Sequence, residues 1–88
     1  MNRYRIFETR MFNSKVSSLG YEDAFKLKTR LRNYIYPQLM NQPRYGKNIR
    51  RLNIEDYTVW RYKLGIFRIF YTVKDEDNKI CFLTIDVK

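Results

Sequence analysis

Histidine is absent from this sequence, and cysteine occurs once, at Cys81. The first absence removes the commonest general base and the commonest metal ligand. The second removes any internal disulfide framework and any cysteine-based metal site. A single thiol in an apolar run is expected to be a small buried hydrophobe, and it fits a reducing compartment. There is no P-loop, no GxGxxG and no HExxH, which removes most ordinary enzyme classes. Any chemistry would fall to Lys, Arg, Tyr or a lone carboxylate, and no cofactor is expected. No apolar stretch approaches the ~18 residues of a membrane span. Met1 to Arg10 carries arginines but no apolar segment behind them, as an export signal would require. The default expectation is a soluble, cytoplasmic protein with no membrane partner.

What is present is aromatic and basic. The 88 residues allow one hydrophobic core, so a single domain over 1–88 is expected. Eight tyrosines, six phenylalanines and one tryptophan supply large buried areas per side chain, which suits a short chain without disulfides. Eighteen Lys and Arg against nine Asp and Glu leave a net charge of +9, pointing to a polyanion, an anionic surface or an acidic protein as partner. The cations crowd between Arg44 and Arg68, where only Glu55 and Asp56 oppose them. The acids gather chiefly at Asp75, Glu76 and Asp77. This separation predicts a basic face.

The periodicity changes along the chain. Residues Arg3 to Glu8 alternate, with Tyr4 and Ile6 on one side and Arg3, Arg5 and Phe7 on the other, as in a short strand. Phe12, Val16 and Leu19 then fall at helical spacing, with Gly20 as a stop. A longer helix is expected from about Tyr21 to Met40, its stripe running through Ala24, Leu27, Leu31, Tyr34 or Ile35, and Gln38 or Leu39. Pro37 should kink or end it. Asn41 to Gly46 has turn chemistry. Strands follow over Thr58 to Leu64, Ile66 to Val73 and Lys79 to Val87, with a polar turn at Asp75 to Asn78. The order β-α-α-β-β-β predicts an α+β fold, an antiparallel-rich sheet with a helical hairpin packed on one face.

That arrangement leaves the other sheet face for cations. Arg61 and Lys63 lie two apart on a strand and so share a face. A tight turn at Gly65 would bring Arg68 beside them. Three such cations repel one another unless an anion joins them; a phosphate would, and the group could then stabilise charge developing on its oxygens. Ordinary solvated surface cations are the competing explanation, equally favoured by spacing alone. Arg44, Lys47, Arg50 and Arg51 suit sequence-independent phosphate contacts, or a solvated basic loop. Tyr45, Tyr57 and Phe70 are candidates for stacking on bases. Trp60, Tyr62 and Tyr71 sit on the apolar stripe and belong in the core.

The runs Asn41-Gln42-Pro43 through Gly46-Lys47-Asn48-Ile49-Arg50-Arg51-Leu52 and Trp60-Arg61-Tyr62-Lys63-Leu64-Gly65-Ile66-Phe67-Arg68-Ile69-Phe70-Tyr71 resemble the toxins of RelE/ParE toxin–antitoxin modules. The resemblance implies a βααβββ fold and, in the RelE branch, an mRNA endonuclease that cuts codons in the ribosomal A site without metal. Carried over by position, it makes Arg61, Lys63 and Arg68 catalytic, a basic group activating the 2′-OH and arginines stabilising the pentacoordinate phosphate. The nucleic-acid contacts would be Arg44, Tyr45, Lys47, Arg50 and Arg51. The family pattern usually continues past the last strand into a His-Arg … Tyr segment; here Val87 and Lys88 stand at the His-Arg positions and no tyrosine follows. Either the chain is truncated or it lacks that part of the site, with Lys88 in place of an arginine as a point charge. The implied partners are mRNA on the ribosome and an acidic or amphipathic antitoxin that folds as it binds. The alternatives are a ParE-like toxin that poisons DNA gyrase without cutting, and an inactive member that only binds an antitoxin.

Overall fold

The computed structural model describes residues 3–88. Strand β1 (Arg5–Glu8) leads into helix α1 (Arg10–Ser17), then α2 (Tyr21–Arg30), which runs through a π turn (Leu31–Ile35) into α3 (Tyr36–Asn41). Four strands follow: β2 (Ile49–Ile54), β3 (Tyr57–Leu64), β4 (Phe67–Lys74) and β5 (Lys79–Val87). They form one five-stranded sheet in the order β1-β5-β4-β3-β2. β1 joins β5 in parallel, and every other pairing is antiparallel. The expected α+β architecture with a helical hairpin therefore holds, with one strand more than the sequence pattern suggested.

The additional strand, β2, comes from a segment with weak strand signals, Ile49-Arg50-Arg51-Leu52-Asn53-Ile54. Its turn to β3 uses Glu55 at φ 55°, a left-handed conformation without the glycine that normally marks such a hairpin. The turn from β3 to β4 does use glycine, Gly65 at φ 59°. A side chain there would meet the ordinary penalty for an L-residue in that region, so this hairpin is legible and the other is not.

Pro37 does not end the second helix, which continues to Asn41. The proline sits in the first turn of α3, and immediately upstream the Tyr36 N–H bonds to the Leu31 carbonyl, five residues back. The wider π turn absorbs the break that a donorless residue makes in the i−4 ladder. It also settles the helix's inner face. Leu27, Leu31, Ile35 and Leu39 are all buried at strict four-residue spacing, which outruns the 3.6 residues of an α-turn. The π turn brings Leu39 back under the sheet, and Tyr34 is left exposed.

The helices cover one sheet face with Phe12, Val16, Leu27, Leu31, Ile35 and Leu39, meeting Tyr62, Ile69, Tyr71, Ile80, Phe82 and Ile85. Phe82 is the hub, with ring centroids 5.5 Å from Phe12, 5.0 Å from Tyr36 and 5.5 Å from Tyr71. Each side chain buried this way stabilises the fold by roughly 1.5–3 kcal/mol. Polar tips find partners: the Tyr71 hydroxyl donates to the Pro43 carbonyl at 2.6 Å, and Tyr62 to Gln38 Oε1 at 2.9 Å. Burial raises the Tyr71 hydroxyl well above the ordinary tyrosine range, keeping it a neutral donor. Tyr36 is raised likewise, by burial first and then by its hydrogen bond to Glu8. Trp60 packs against the core only partly buried, while Tyr62 and Tyr71 lie in it as expected. Cys81 is buried and free.

One irregularity interrupts the regular strand pairing. β4 and β5 pair through a bulge, so Tyr71 faces Phe82 but Phe70 faces Thr84, leaving Leu83 as the extra residue. Thr9, the N-cap of α1, holds this spot. Its hydroxyl accepts from the Phe12 N–H at 3.2 Å and reaches the carbonyls of Phe82 at 2.7 Å and Leu83 at 3.1 Å.

Candidate nucleic-acid interface on the open sheet face

The pleat decides which cations meet. Tyr62 and Ile69 point into the core as direct partners, so their neighbours Arg61, Lys63 and Arg68 point the opposite way. Lys63 stands directly across from Arg68. Arg61 stands directly across from Arg50 on one side and Phe70 on the other. Directly opposed side chains start about 4.5–5.5 Å apart at Cβ. The expected trio is thus brought together on the face away from the helices, and Arg50 makes it a quartet.

An acid that the sequence pattern did not single out flanks this group. Asp86 is the direct partner of Arg68 across β4 and β5. Arg68 Nε donates to Asp86 Oδ1 at 2.7 Å and Nη2 to Oδ2 at 3.0 Å, a bidentate pair. The anion that relieves repulsion between Lys63 and Arg68 is already in the protein. Arg61 has no such relief: its Nε is buried and unpartnered among the described residues. A half-buried guanidinium with an open donor, beside a second arginine, is suited to receive an anion. Lys88 is exposed beyond β5, two residues past Asp86, with its N–H held by the Ile66 carbonyl at 2.8 Å.

The residues expected to contact nucleic acid, Arg44, Tyr45, Lys47, Arg50 and Arg51, do not all share one face. Arg50 joins the quartet. Arg51, one residue on, pairs with Trp60 and therefore faces the helix side. There it lines a groove of about 680 Å³ together with Arg44, Tyr45, Ile49, Thr58, Trp60 and Val73. Lys47 is exposed in the turn before β2. At this groove Arg44 is already paired: its Nη2 lies 2.9 Å from Asp75 Oδ2, and the Tyr4 hydroxyl donates to Asp75 Oδ1 at 2.5 Å. Hydrogen bonds from Tyr4 and then Arg44 hold the Asp75 carboxyl below the usual carboxylate range. Tyr45 and Tyr57 are largely exposed, Phe70 half-buried.

Among the described residues, no three His, Cys, Asp or Glu side chains converge as a metal would need. No helix there is long and apolar enough to cross a membrane. What the open face offers is three guanidinium groups and one ammonium group, with one carboxylate paired to Arg68 at their β5 flank.

No family model and no curated protein matches the sequence. Solved structures do match in three dimensions. The toxin–antitoxin complex RelBE2 of Mycobacterium tuberculosis aligns with a TM-score of 0.76 at 17% identity, over 100% of this chain and 94% of that one. The isolated Escherichia coli RelE toxin aligns at 0.66 with 21% identity, over 96% and 83%. The RelE–RelB complex of Pyrococcus horikoshii aligns at 0.65 with 19% identity, over 97% and 94%. Strand, helical pair and sheet correspond across almost the whole chain: this protein has the fold of the RelE toxins.

Proposed function

We propose that this chain is the toxin of a type II toxin–antitoxin module and that it arrests growth by cutting mRNA held on the ribosome. The observation that carries this reading is the cation quartet on the uncovered sheet face of a RelE-type fold. Cleavage of RNA without a metal proceeds when the 2′-oxygen attacks the adjacent phosphorus and the 5′-oxygen departs. Negative charge rises on the non-bridging oxygens along the way. Arg61 and Arg68 are the groups to stabilise it, since fixed donors aimed at developing charge need no reorganisation. Lys63, beside Arg68, is the group to assist proton movement at the 2′-OH, a role typically worth ~10²–10⁴ in rate. Arg50 and Lys88 flank the site and would hold neighbouring phosphates.

Such a toxin implies an antitoxin. The charge of this chain fits an acidic or amphipathic segment that folds on the basic face and neutralises it. One observation favours a second reading, a non-cutting toxin that binds DNA gyrase: part of the Arg68 fork is already engaged by Asp86.

Translation of a defined mRNA in a reconstituted system, with 5′ ends mapped by primer extension, separates the two. Cuts within codons that require ribosomes, and that Arg68→Ala abolishes, are the expected result. A protein that arrests growth without cutting would transfer the proposal to gyrase.

A further inference from the structure

Asp86 does more on this face than balance charge. The hairpin leading to it is registered by its end, where Lys74 faces Lys79. Counting back from that pair without interruption would set Arg68 against Ile85 and turn Asp86 toward the helices. The bulge at Leu83 shifts the count by one, so Ile85 enters the core and Asp86 emerges beside Arg68. Thr9 pins the two carbonyls at the bulge from the start of α1. A local irregularity, clamped by a helix cap, therefore aims this carboxylate.

The way Asp86 holds Arg68 is specific. It takes the side edge of the guanidinium, through Nε and one Nη2 hydrogen. The end edge, Nη1 with the other Nη2 hydrogen, makes no hydrogen bond among the described residues, and that edge is itself a fork matched to two phosphate oxygens. Gripped on its side, the group cannot swing away from Lys63 under their mutual repulsion. We infer that Asp86 is a positioning residue that presents the end fork of Arg68 to the scissile phosphate, rather than a placeholder that phosphate must displace. This inference rests on the mRNA-cutting reading above.

The test is single-turnover cleavage of mRNA on purified ribosomes by the wild type, Asp86→Asn and Asp86→Glu. A misaimed catalytic group costs on the order of 10²-fold. Asp86→Asn should lower the plateau rate by about 10- to 100-fold with half-saturation within about threefold. Asp86→Glu, which keeps the charge and the fork, should recover part of the loss. In the wild type, the Arg68 Nε–H resonance should keep its position when a non-cleavable 2′-O-methyl trinucleotide is added, because the grip on the side edge persists. An unchanged or faster Asp86→Asn enzyme, or loss of that resonance on trinucleotide binding, overturns the inference and leaves the nuclease reading standing. A wild type that does not cut removes the nuclease reading, and this role of Asp86 with it.

Discussion

The two faces of the sheet solve opposite problems with the same strands. Under the helices, polar tips are neutral and partnered, as in Tyr71 with Pro43 and Tyr62 with Gln38. On the open face the groups are charged and partly exposed, and at Arg61 a buried donor is left without a partner among the described residues. Satisfied interiors favour a single folded state, whereas unsatisfied groups cost stability and are retained where a ligand completes them. On the proposed reading, alternate residues of β3 and β4 divide between holding the protein together and leaving it ready for an anion.

Substitutions on each face should then move different readouts. The largest effect is expected at Phe82→Ala, which empties the hub of the aromatic cluster and should cost about 3–5 kcal/mol in denaturant unfolding. A loss well under that would show that the helices re-pack and that the covered face is not the seat of stability. On the open face the sign should reverse. Arg61→Met removes an unsatisfied donor and the repulsion from Arg50, and should raise stability by about 0.2–1 kcal/mol while abolishing growth arrest. If it destabilises instead, Arg61 belongs with the structural residues and the contrast between the faces fails.

The smallest effect is expected at neither face but at the sheet's end, in the pair Arg44–Asp75. The Asp75 carboxyl is depressed in the folded state, so its contribution is present above the ordinary carboxylate value and is lost as pH falls through the lowered one. Wild type and Asp75→Asn should differ slightly at neutral pH and converge in acid, as measured by thermal unfolding across pH. A difference that persists at low pH would assign the effect to packing of Tyr4 rather than to charge.

Much of this molecule is legible in its sequence. Alternation in Thr58–Leu64 places Arg61 and Lys63 on one face, and Gly65 brings Arg68 to them. The features that escape such a reading do so for local reasons. β2 is hidden because its turn carries Glu55 instead of glycine and two arginines interrupt its strand pattern. The span of the long helix is legible, about Tyr21 to Met40 against an observed end at Asn41, but its passage through a π turn is not, because a π turn has no composition signature. Asp86 is hidden because a bulge reverses inside and outside partway along β5, and no rule of alternation survives an inserted residue. Arg50 and Arg51 are grouped wrongly for a different reason: neighbouring cations in sequence are not a patch when successive strand residues face apart.

The parallel pairing of β1 with β5 bears on when this protein becomes itself. β1 must wait for Lys79 to Phe82 before it has a strand neighbour, and β5 also carries both the aromatic hub and Asp86. Contacts so distant in sequence form late, after the entropy of closing the intervening chain has been overcome. A nascent chain paused anywhere before β5 thus has neither a complete core nor an aimed Arg68. On the proposed reading, the ribosome that builds this toxin is the one least exposed to it.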